Sequence, residues 1–181
     1  MKMAVFTRLD RDQISHFLKS YSLGHLDNFY DIVEGIENTN YKIICDKKPY
    51  ILTIFEKRVN ENDLPFFMEL KFYLNENNFL CPKPIQDNNG NVINSIGNKK
   101  AVIISYIEGS KKTFTGKEEC KEIGIMLGKF HNLTNKFKNK RANSLSLSEW
   151  KKIFNKCKNK HIDEFNKIFD NLNKELNFIE E

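Results

Sequence analysis

The fold is decided by the stretch Gly35-Ile36-Glu37-Asn38-Thr39-Asn40-Tyr41, which lies between two apolar segments that each predict a β-strand. The glycine lets the backbone bend tightly, while successive N–H groups and the amides of Asn38 and Asn40 would supply hydrogen-bond donors to anionic oxygens. An ordinary hairpin would explain the same seven residues. The stretch therefore predicts a phosphate-binding turn or a plain hairpin, and its surroundings decide between the two.

Alternating apolar residues predict strands on both sides of this stretch. The first three strands are joined by the stretch itself and by the link Lys47-Lys48, which are too short for a parallel crossover. Two more strands flank the turn Asp87-Asn88-Asn89-Gly90. The predicted strands cover 26–34, 40–46, 49–56, 91–96 and 100–107. They make a five-stranded antiparallel sheet.

Helices are predicted before, within and after the sheet. Asp10 and Gln13 form a capping box for a helix that ends at Leu23-Gly24, and Pro65 lies in the first turn of a helix that runs to about Asn77. That second helix presents Phe67, Leu70 and Leu74 on one face, and residues 81–85 after it are extended because of two prolines. The pattern is helix, three strands, helix and two strands, which is an α+β arrangement.

The remainder of the chain predicts helices only. A capping box at Thr115-Gly116-Lys117-Glu118 opens a helix with Ile123, Leu127 and Phe130 at helical spacing. A second box at Ser146-Leu147-Ser148-Glu149 opens another helix. A final apolar seam from Ile162 to Ile179 predicts a last helix, whose seam has no partner in the sequence and favours self-association.

Composition excludes several classes of protein. The net charge is +5 and the pI about 8.9, but basic and acidic residues alternate along most of the chain, which argues against a nucleic-acid-binding surface. The four cysteines are far apart and form no CxxC pair, so we expect reduced, buried thiols in a cytosolic protein. No apolar run is long enough to span a bilayer. We expect a cytoplasmic protein without a nucleic-acid or membrane partner.

Five early motifs, in order and spacing, resemble the bacterial homoserine kinases of the aminoglycoside and choline phosphotransferase superfamily. Gly124 to His131, Arg141-Ala142-Asn143 and Trp150 resemble the segments that open the helical lobe of that family. The early motifs are Met3-Ala4-Val5-Phe6-Thr7, Tyr21-Ser22-Leu23-Gly24, Gly35 to Tyr41, Tyr50 to Arg58 and Asp63-Leu64-Pro65-Phe66-Phe67. The resemblance covers essentially the whole chain.

This resemblance implies a protein-kinase-like two-lobe fold. Its nucleotide-binding lobe would span residues 1–104, its hinge 105–110, and a partial helical lobe 111–181. It further implies ATP and magnesium as cofactors and transfer of the γ-phosphate to the side-chain hydroxyl of homoserine. Kinases for choline or an aminoglycoside are an alternative within the superfamily, and a nucleotide-binding or interaction module without catalysis is an alternative from another class. The oligomeric state is not readable from the sequence.

The resemblance also implies the residues of the nucleotide site. Gly35, Asn38, Thr39 and Asn40 would lie over the phosphates, and Ser105, Tyr106 and Ile107 would form the hinge beside the adenine. Ile43 and Leu52 would line the base pocket. The third-strand position where kinase-like enzymes place a lysine corresponds to Thr53. Lys57 or Arg58 would then supply the missing charge, or both are solvent-facing residues at the end of the strand.

The catalytic residues of the family are expected in a His-x-Asp-x4-Asn loop, which supplies the proton acceptor and a magnesium ligand. The segment His161-Ile162-Asp163 begins in the same way, but Ile168 stands where the asparagine belongs. We therefore assign no catalytic or metal residue. The family's catalytic loop would begin shortly past Glu181, so we expect this chain alone to be inactive.

Overall fold

The computed structural model describes residues 5–35, 37–56, 59–110, 112, 114–158 and 166–180. Residue contacts divide the chain into one unit up to Asn139 and a second from Lys140 onward. The first unit carries the sheet and three helices within the described ranges, and the described part of the second contains two helices. The lobe boundary at residues 105–110 stays a prediction.

The first helix, α1, spans Arg11–Leu18 and confirms the predicted capping box. The Gln13 N–H donates to Asp10 Oδ1 at 2.8 Å, and the Asp10 N–H donates to Gln13 Oε1 at 2.9 Å. These two bonds satisfy donors that the first turn of a helix leaves unpaired. The helix ends earlier than the predicted Leu23-Gly24, although Tyr21 beyond its end is still buried.

The sheet contains six antiparallel strands within the described residues, in the order β1-β2-β3-β6-β4 with β5 also paired to β6. The strands are β1 Leu26–Ile32, β2 Thr39–Cys45, β3 Lys48–Ile54, β4 Pro84–Ile85, β5 Asn94–Ile96 and β6 Lys99–Ser105. All five predicted strands are present. The additional strand, β4, is the segment predicted only as extended, and its proline is tolerated because β4 lies at an edge.

The two faces of the sheet have different surroundings. Along β2, alternate residues from Thr39 to Cys45 are buried, and the residues between them are half-buried. The buried face packs with α1 in one apolar cluster that contains Ile14, Phe17, Ile43 and Leu52. We call the other side the open face; it carries Asn40, Lys42 and Ile44 on β2 and Ile51 and Thr53 on β3. The apolar cluster with α1 therefore occupies one side of the strands, whereas on the open face Thr53 and its partner Val102 are buried and the β2 residues are half-buried.

The β2–β3 hairpin turns at Asp46 and Lys47, whose φ angles are 45° and 64°. Positive φ at both central residues is the geometry that suits a two-residue hairpin. The link lies one residue earlier than the predicted Lys47-Lys48, because Lys48 already pairs with Cys45. The Asp46 carboxylate accepts the His25 N–H at 3.0 Å and so ties this turn to the start of β1.

Replacing Gly24 with alanine should lower the free energy of unfolding by roughly 2–4 kcal/mol. Gly24 has a φ of 85°, and a Cβ atom there would overlap the Asp46 carboxylate. Gly90→Ala is the matched control, since Gly90 has a φ of 84° but open space around the added atom. We expect about 1 kcal/mol for the control from backbone strain alone. Urea unfolding measures both, and equal losses would contradict the predicted overlap.

The second helix, α2, spans Leu64–Glu76 and follows a single 3₁₀ turn at Glu61–Asp63. Pro65 lies at its start, as predicted. The buried face differs from the prediction: Leu64, Met68 and Leu74 are buried, whereas Phe67 and Leu70 are half-buried. Of the three predicted residues only Leu74 is buried, because nine of the thirteen residues of this helix are apolar and periodicity does not single out one face.

The third helix, α3, spans Lys117–Thr134. Its N-cap is Gly116 and not the predicted Thr115, since the Gly116 N–H donates to Glu119 Oε2 at 2.9 Å. The predicted face of α3 is largely exposed, with 60% of Ile123 and 52% of Leu127 accessible to solvent. Near its end, the Tyr73 hydroxyl of α2 donates to the Leu133 carbonyl at 3.0 Å.

The second unit contains α4, Leu147–Lys158, and α5, Asn166–Glu180. Phe154 and Phe169 join these helices with ring centroids 5.7 Å apart. The first part of the predicted seam, including Ile162, lies outside the described residues. No helix in the described ranges is both long and apolar enough to cross a membrane.

All four cysteines are free, which agrees with the prediction that they form no disulfide. The prediction that they are buried is correct only for Cys45. Burial raises the pKa of the Cys45 thiol to about 11, and the nearby Asp27 and Asp46 carboxylates add to this effect. Cys81 is half-buried, and Cys120 and Cys157 are exposed. The exposed pair lies on helices whose apolar faces are themselves largely uncovered.

Candidate functional site

The open face brings three of the predicted site residues together. Asn40 and Thr53 lie opposite each other on β2 and β3, and the Thr53 hydroxyl donates to Asn40 Oδ1 at 2.7 Å. The Asn40 amide nitrogen in turn donates to the Asn38 carbonyl at 3.4 Å. Hydrogen bonds thus connect Asn38, Asn40 and Thr53 into one polar group beside the turn between β1 and β2.

Gly35 belongs to the same turn and has a φ of 151°, which residues with a Cβ rarely adopt. The predicted turn therefore needs its glycine for backbone geometry. Its neighbour Ile36 lies outside the described residues. On the far side of the turn, the Asn38 side-chain oxygen accepts the main-chain N–H of Glu56 at 3.4 Å. This bond attaches the turn to the end of β3.

Thr39 is separated from the other predicted residues because its side chain faces the opposite way. Its side chain is fully buried, and its hydroxyl oxygen accepts the N–H groups of Phe6 at 3.0 Å and Thr7 at 3.1 Å. The same hydroxyl donates to Glu56 Oε1 at 2.8 Å. Successive side chains alternate along a strand, so Thr39 and Asn40 could not both point to the open face.

Ile43 and Leu52 were expected to line the base pocket, and this expectation is wrong because their side chains also face the buried side. Both are completely buried in the apolar cluster with α1. The apolar residues at the corresponding heights of the open face are Ile44 and Ile51. Sequence reasoning missed these two because each apolar pair, Ile43-Ile44 and Ile51-Leu52, offers a candidate for either face.

The predicted hinge follows the end of β6. The Ser105 N–H donates to the Lys83 carbonyl at 2.8 Å, and the Ser105 hydroxyl accepts the Lys83 N–H at 2.9 Å, so this serine holds β4 in place. The ring of Tyr106 lies beneath the Lys42 ammonium, 4.1 Å from the ring centroid, which is a cation–π contact. Ile107 is exposed. Lys42 is therefore a charged group of the open face that the sequence analysis did not select.

Lys57 and Arg58, proposed as the replacement for the usual phosphate-binding lysine, lie outside the described residues.

On α2, the Glu69 carboxylate accepts a hydrogen bond from the Asn139 side chain. In the described part of the chain, no three side chains of His, Cys, Asp or Glu come together in a way that could hold a metal ion.

A polar cluster borders the turn on the buried side of the sheet. Glu56 accepts hydrogen bonds from Thr7 Oγ1 at 2.6 Å and from Thr39, and it pairs with the Lys99 ammonium. Burial by itself would raise the pKa of Glu56, but hydrogen bonds from Lys99, Thr7 and Thr39 outweigh it and hold the pKa below its ordinary value. Sequence reasoning missed this cluster because nothing in the local pattern links Glu56, which follows β3, to Lys99 at the start of β6.

A separate cleft of about 900 Å³ lies between α2 and β4 and contains none of the predicted nucleotide-site residues. Glu69 and Glu76 line it together with Phe72, Tyr73 and Lys83. Two carboxylates against one ammonium would repel a polyphosphate. The open face is therefore the better candidate for an anionic ligand, because its polar groups are neutral or cationic.

Comparison with known proteins identifies the family. Residues 31–177 match the phosphotransferase enzyme family (APH). The chain is 38% identical over 152 residues to the homoserine kinase of Methylobacterium radiotolerans, covering 84% of this chain and 47% of that protein. It is 35% identical over 179 residues to the homoserine kinase of Rhizobium meliloti, covering 99% and 55%. The resemblance to bacterial homoserine kinases is thus confirmed, and the chain spans about half the length of the curated relatives it matches.

Among solved structures, a spectinomycin phosphotransferase in complex with ADP and spectinomycin superposes with a TM-score of 0.57. The identity is 13%, and the match covers 93% of this chain and 58% of that one. At this identity the likeness concerns the fold alone, and it confirms the predicted α+β protein-kinase-like class. With the family match extending over most of the residues, the chain belongs to the phosphotransferase enzyme family.

Proposed function

We propose that this chain provides the nucleotide-binding side of an ATP-dependent phosphotransferase whose acceptor is the hydroxyl of homoserine. The relatives named homoserine kinase support the acceptor, and the ADP complex of the related fold supports the nucleotide. In this proposal, residues 1–104 form the nucleotide lobe, residues 105–110 the hinge, and residues 111–181 the start of a helical lobe.

The observation that carries the proposal is the hydrogen-bonded group of Asn38, Asn40 and Thr53 beside a glycine turn, on the sheet face opposite the α1 cluster. Tyr106 and Lys42 lie toward the other end of the same face. Along β3, Thr53 lies about 10 Å from Tyr50, and Tyr50 pairs with Ser105 at the start of the predicted hinge. A nucleotide would lie along this face, its base beside Tyr106 and its phosphates beneath the turn.

The chemistry required of this half is positioning and charge stabilisation, which account for most of the catalysis of phosphoryl transfer. The turn would supply main-chain N–H groups, and Asn40 and Thr53 would orient neutral dipoles toward the phosphates. Lys57 and Arg58 are proposed as cations at the end of β3. Magnesium would neutralise the phosphate charge during transfer, and we assign it no ligand in this chain.

A titration of the ¹⁵N-labelled chain with magnesium-ADP tests the nucleotide part of the proposal. We expect shift changes at the amides of Asn38, Asn40 and Tyr106. Amides of the α2–β4 cleft, such as that of Phe72, should stay unchanged. Shifts confined to the cleft would place the nucleotide elsewhere and refute the assignment.

An ADP-release assay with homoserine, choline and spectinomycin as parallel acceptors tests the reaction. We expect no acceptor-dependent release from the 181-residue chain, because its sequence contains no His-x-Asp-x4-Asn pattern. If the reading frame continues past Glu181 and encodes this pattern, its product should release ADP fastest with homoserine. Robust turnover by the 181 residues would contradict the first expectation, and a preference for choline or spectinomycin would contradict the second.

Asn40→Asp should weaken ADP binding about tenfold, since a carboxylate near the phosphates would cost on the order of 1–2 kcal/mol. The carboxylate can still accept the Thr53 hydrogen bond and loses the long donation to the Asn38 carbonyl at 3.4 Å, so stability should fall by no more than about 1 kcal/mol. Asn28→Asp is the matched control: Asn28 pairs with Ile44, four residues along β2 from Asn40, where screening removes most of the repulsion. Calorimetric titration measures both variants, and equal weakening would argue against phosphates at Asn40.

A further inference from the structure

Glu56 lies where three separate segments meet. Its Oε1 accepts the Thr7 hydroxyl of the amino-terminal segment at 2.6 Å and the Thr39 hydroxyl of β2 at 2.8 Å. Its Oε2 pairs with the ammonium of Lys99 at the start of β6. Only 8% of the Glu56 side chain is accessible to solvent. A buried carboxylate with this many donors has one well-defined position.

The same residue is also bonded to the turn through its backbone. The Glu56 N–H donates to the Asn38 side-chain oxygen at 3.4 Å, and the Glu56 carboxylate holds Thr39, the next residue of the turn. Asn40 follows directly and bonds back to the Asn38 carbonyl. Asn38 and Thr39 are thus bonded directly to Glu56, and Asn40 is connected to it through Asn38.

Lys99 balances the charge of this arrangement. Its ammonium contacts Glu56 and also donates to the Thr7 hydroxyl at 2.6 Å. An unbalanced carboxylate close to the turn would repel an anionic ligand on the other side of β2. The lysine removes that repulsion and leaves the carboxylate available as a hydrogen-bond acceptor.

We propose that Glu56, neutralised by Lys99, is a positioning residue that presets the Asn38–Asn40 part of the turn for phosphate binding. The inference rests on the proposed nucleotide function and extends it to residues that do not touch the ligand. A turn already held in its bound shape loses less conformational entropy when the phosphates bind. Thr39 then acts on the site through Glu56, from the buried side, and not as a direct ligand.

Glu56→Gln tests this role by comparing two ligands, ADP and adenosine. The amide keeps the size of the side chain but cannot pair with Lys99 and accept both hydroxyls. We expect the Kd for ADP to rise about tenfold and the Kd for adenosine to change less than about twofold, because only ADP uses the turn. A variant that merely loosened the fold would weaken both ligands together.

Asp87→Asn is the matched control. Asp87 is likewise 8% exposed and accepts the N–H groups of Asn89 and Asn91 at 2.9 and 2.8 Å, but it holds a turn between β4 and β5. We expect the ratio of the two dissociation constants to be unchanged. Variants at position 39 test the hydroxyl even if Glu56→Gln fails to fold. Thr39→Ser should keep the wild-type ratio of the Kd for ADP to the Kd for adenosine, and Thr39→Val should raise this ratio.

Hydrogen exchange of the free protein gives a readout that needs no ligand. Glu56→Gln or Thr39→Val should accelerate exchange at the amides of Thr7 and position 56, while the amides of β6 stay protected. If the wild-type protein binds neither ADP nor adenosine, the proposed nucleotide function is refuted. The exchange data alone would then show whether Glu56 fixes the turn. Wild-type binding with an unchanged ratio in Glu56→Gln, or unchanged exchange in both variants, would overturn this inference.

Discussion

Replacing Ile43 with alanine should lower the free energy of unfolding by about 2–5 kcal/mol, the range observed for truncating a fully buried isoleucine. Ile43 is 0% exposed and packs in the cluster that joins the sheet to α1. The loss combines the transfer free energy of the removed carbons with the cavity left behind, since Leu52 and Phe17 cannot collapse completely onto the gap.

The adjacent isoleucine is the control for this prediction. Ile44 points to the open face and is half-buried, so Ile44→Ala should cost less than about 1.5 kcal/mol. Urea unfolding followed by circular dichroism measures both variants, with equal slopes against denaturant indicating that the folded states stay comparable. A larger loss for Ile44 than for Ile43 would mean that the two faces of the sheet have been assigned the wrong way round.

Lys99→Met should cost about 1–3 kcal/mol at pH 7. Losing the ammonium leaves the buried Glu56 carboxylate with two hydroxyl donors and without the one cation that contacts it among the described residues. Breaking a completely buried pair costs about 3–5 kcal/mol, but 32% of the Lys99 side chain is exposed and water screens part of the interaction. Lys100→Met is the control, since the Lys100 ammonium makes an exposed contact with the neutral Ser95 hydroxyl at 3.5 Å and pairs with no carboxylate of the described residues.

The cost of Lys99→Met should depend on pH in one direction. The pKa of Glu56 is lowered in the folded state, so its stabilisation is fully present above the unfolded value of about 4.3 and is lost as the pH falls through the folded value. A protonated Glu56 no longer needs the ammonium, and wild type and Lys99→Met should converge in acid. Unfolding curves at pH 7 and pH 3 test this. A difference that stays constant, or that Lys100→Met reproduces, would contradict it.

Much of the local structure could be predicted because its causes are local. The capping box of α1 needs only Asp10 and Gln13 at the right spacing, and Pro65 is compatible only with the first turn of α2. The turn at Gly35 is equally local, since its φ requires glycine. Errors of one residue, as at Gly116 and the β2–β3 link, arise where adjacent residues suit the same position.

The candidate site was predicted less completely. Asn40 and Thr53 were both assigned to the site through the resemblance, but the predicted Lys47-Lys48 link would not have paired them; the register of β2 and β3 in the structure does. Thr39 was expected beside them and faces the other way. Lys42 was not selected, because the residue it contacts, Tyr106, lies just past the end of β6 and is far away in the sequence.

The sequence by itself determined the order of the helices and of every described strand except β4, the position of the glycine turn and the family resemblance, because each depends on residues close together in the chain. Only the tertiary structure decided which side of the sheet is core, since Ile43-Ile44 and Ile51-Leu52 suit either side until α1 covers one. It likewise decided that Glu56, two residues past β3, meets Lys99 of β6, because the pairing of these two neighbouring strands is fixed by sheet order and register and not by local pattern.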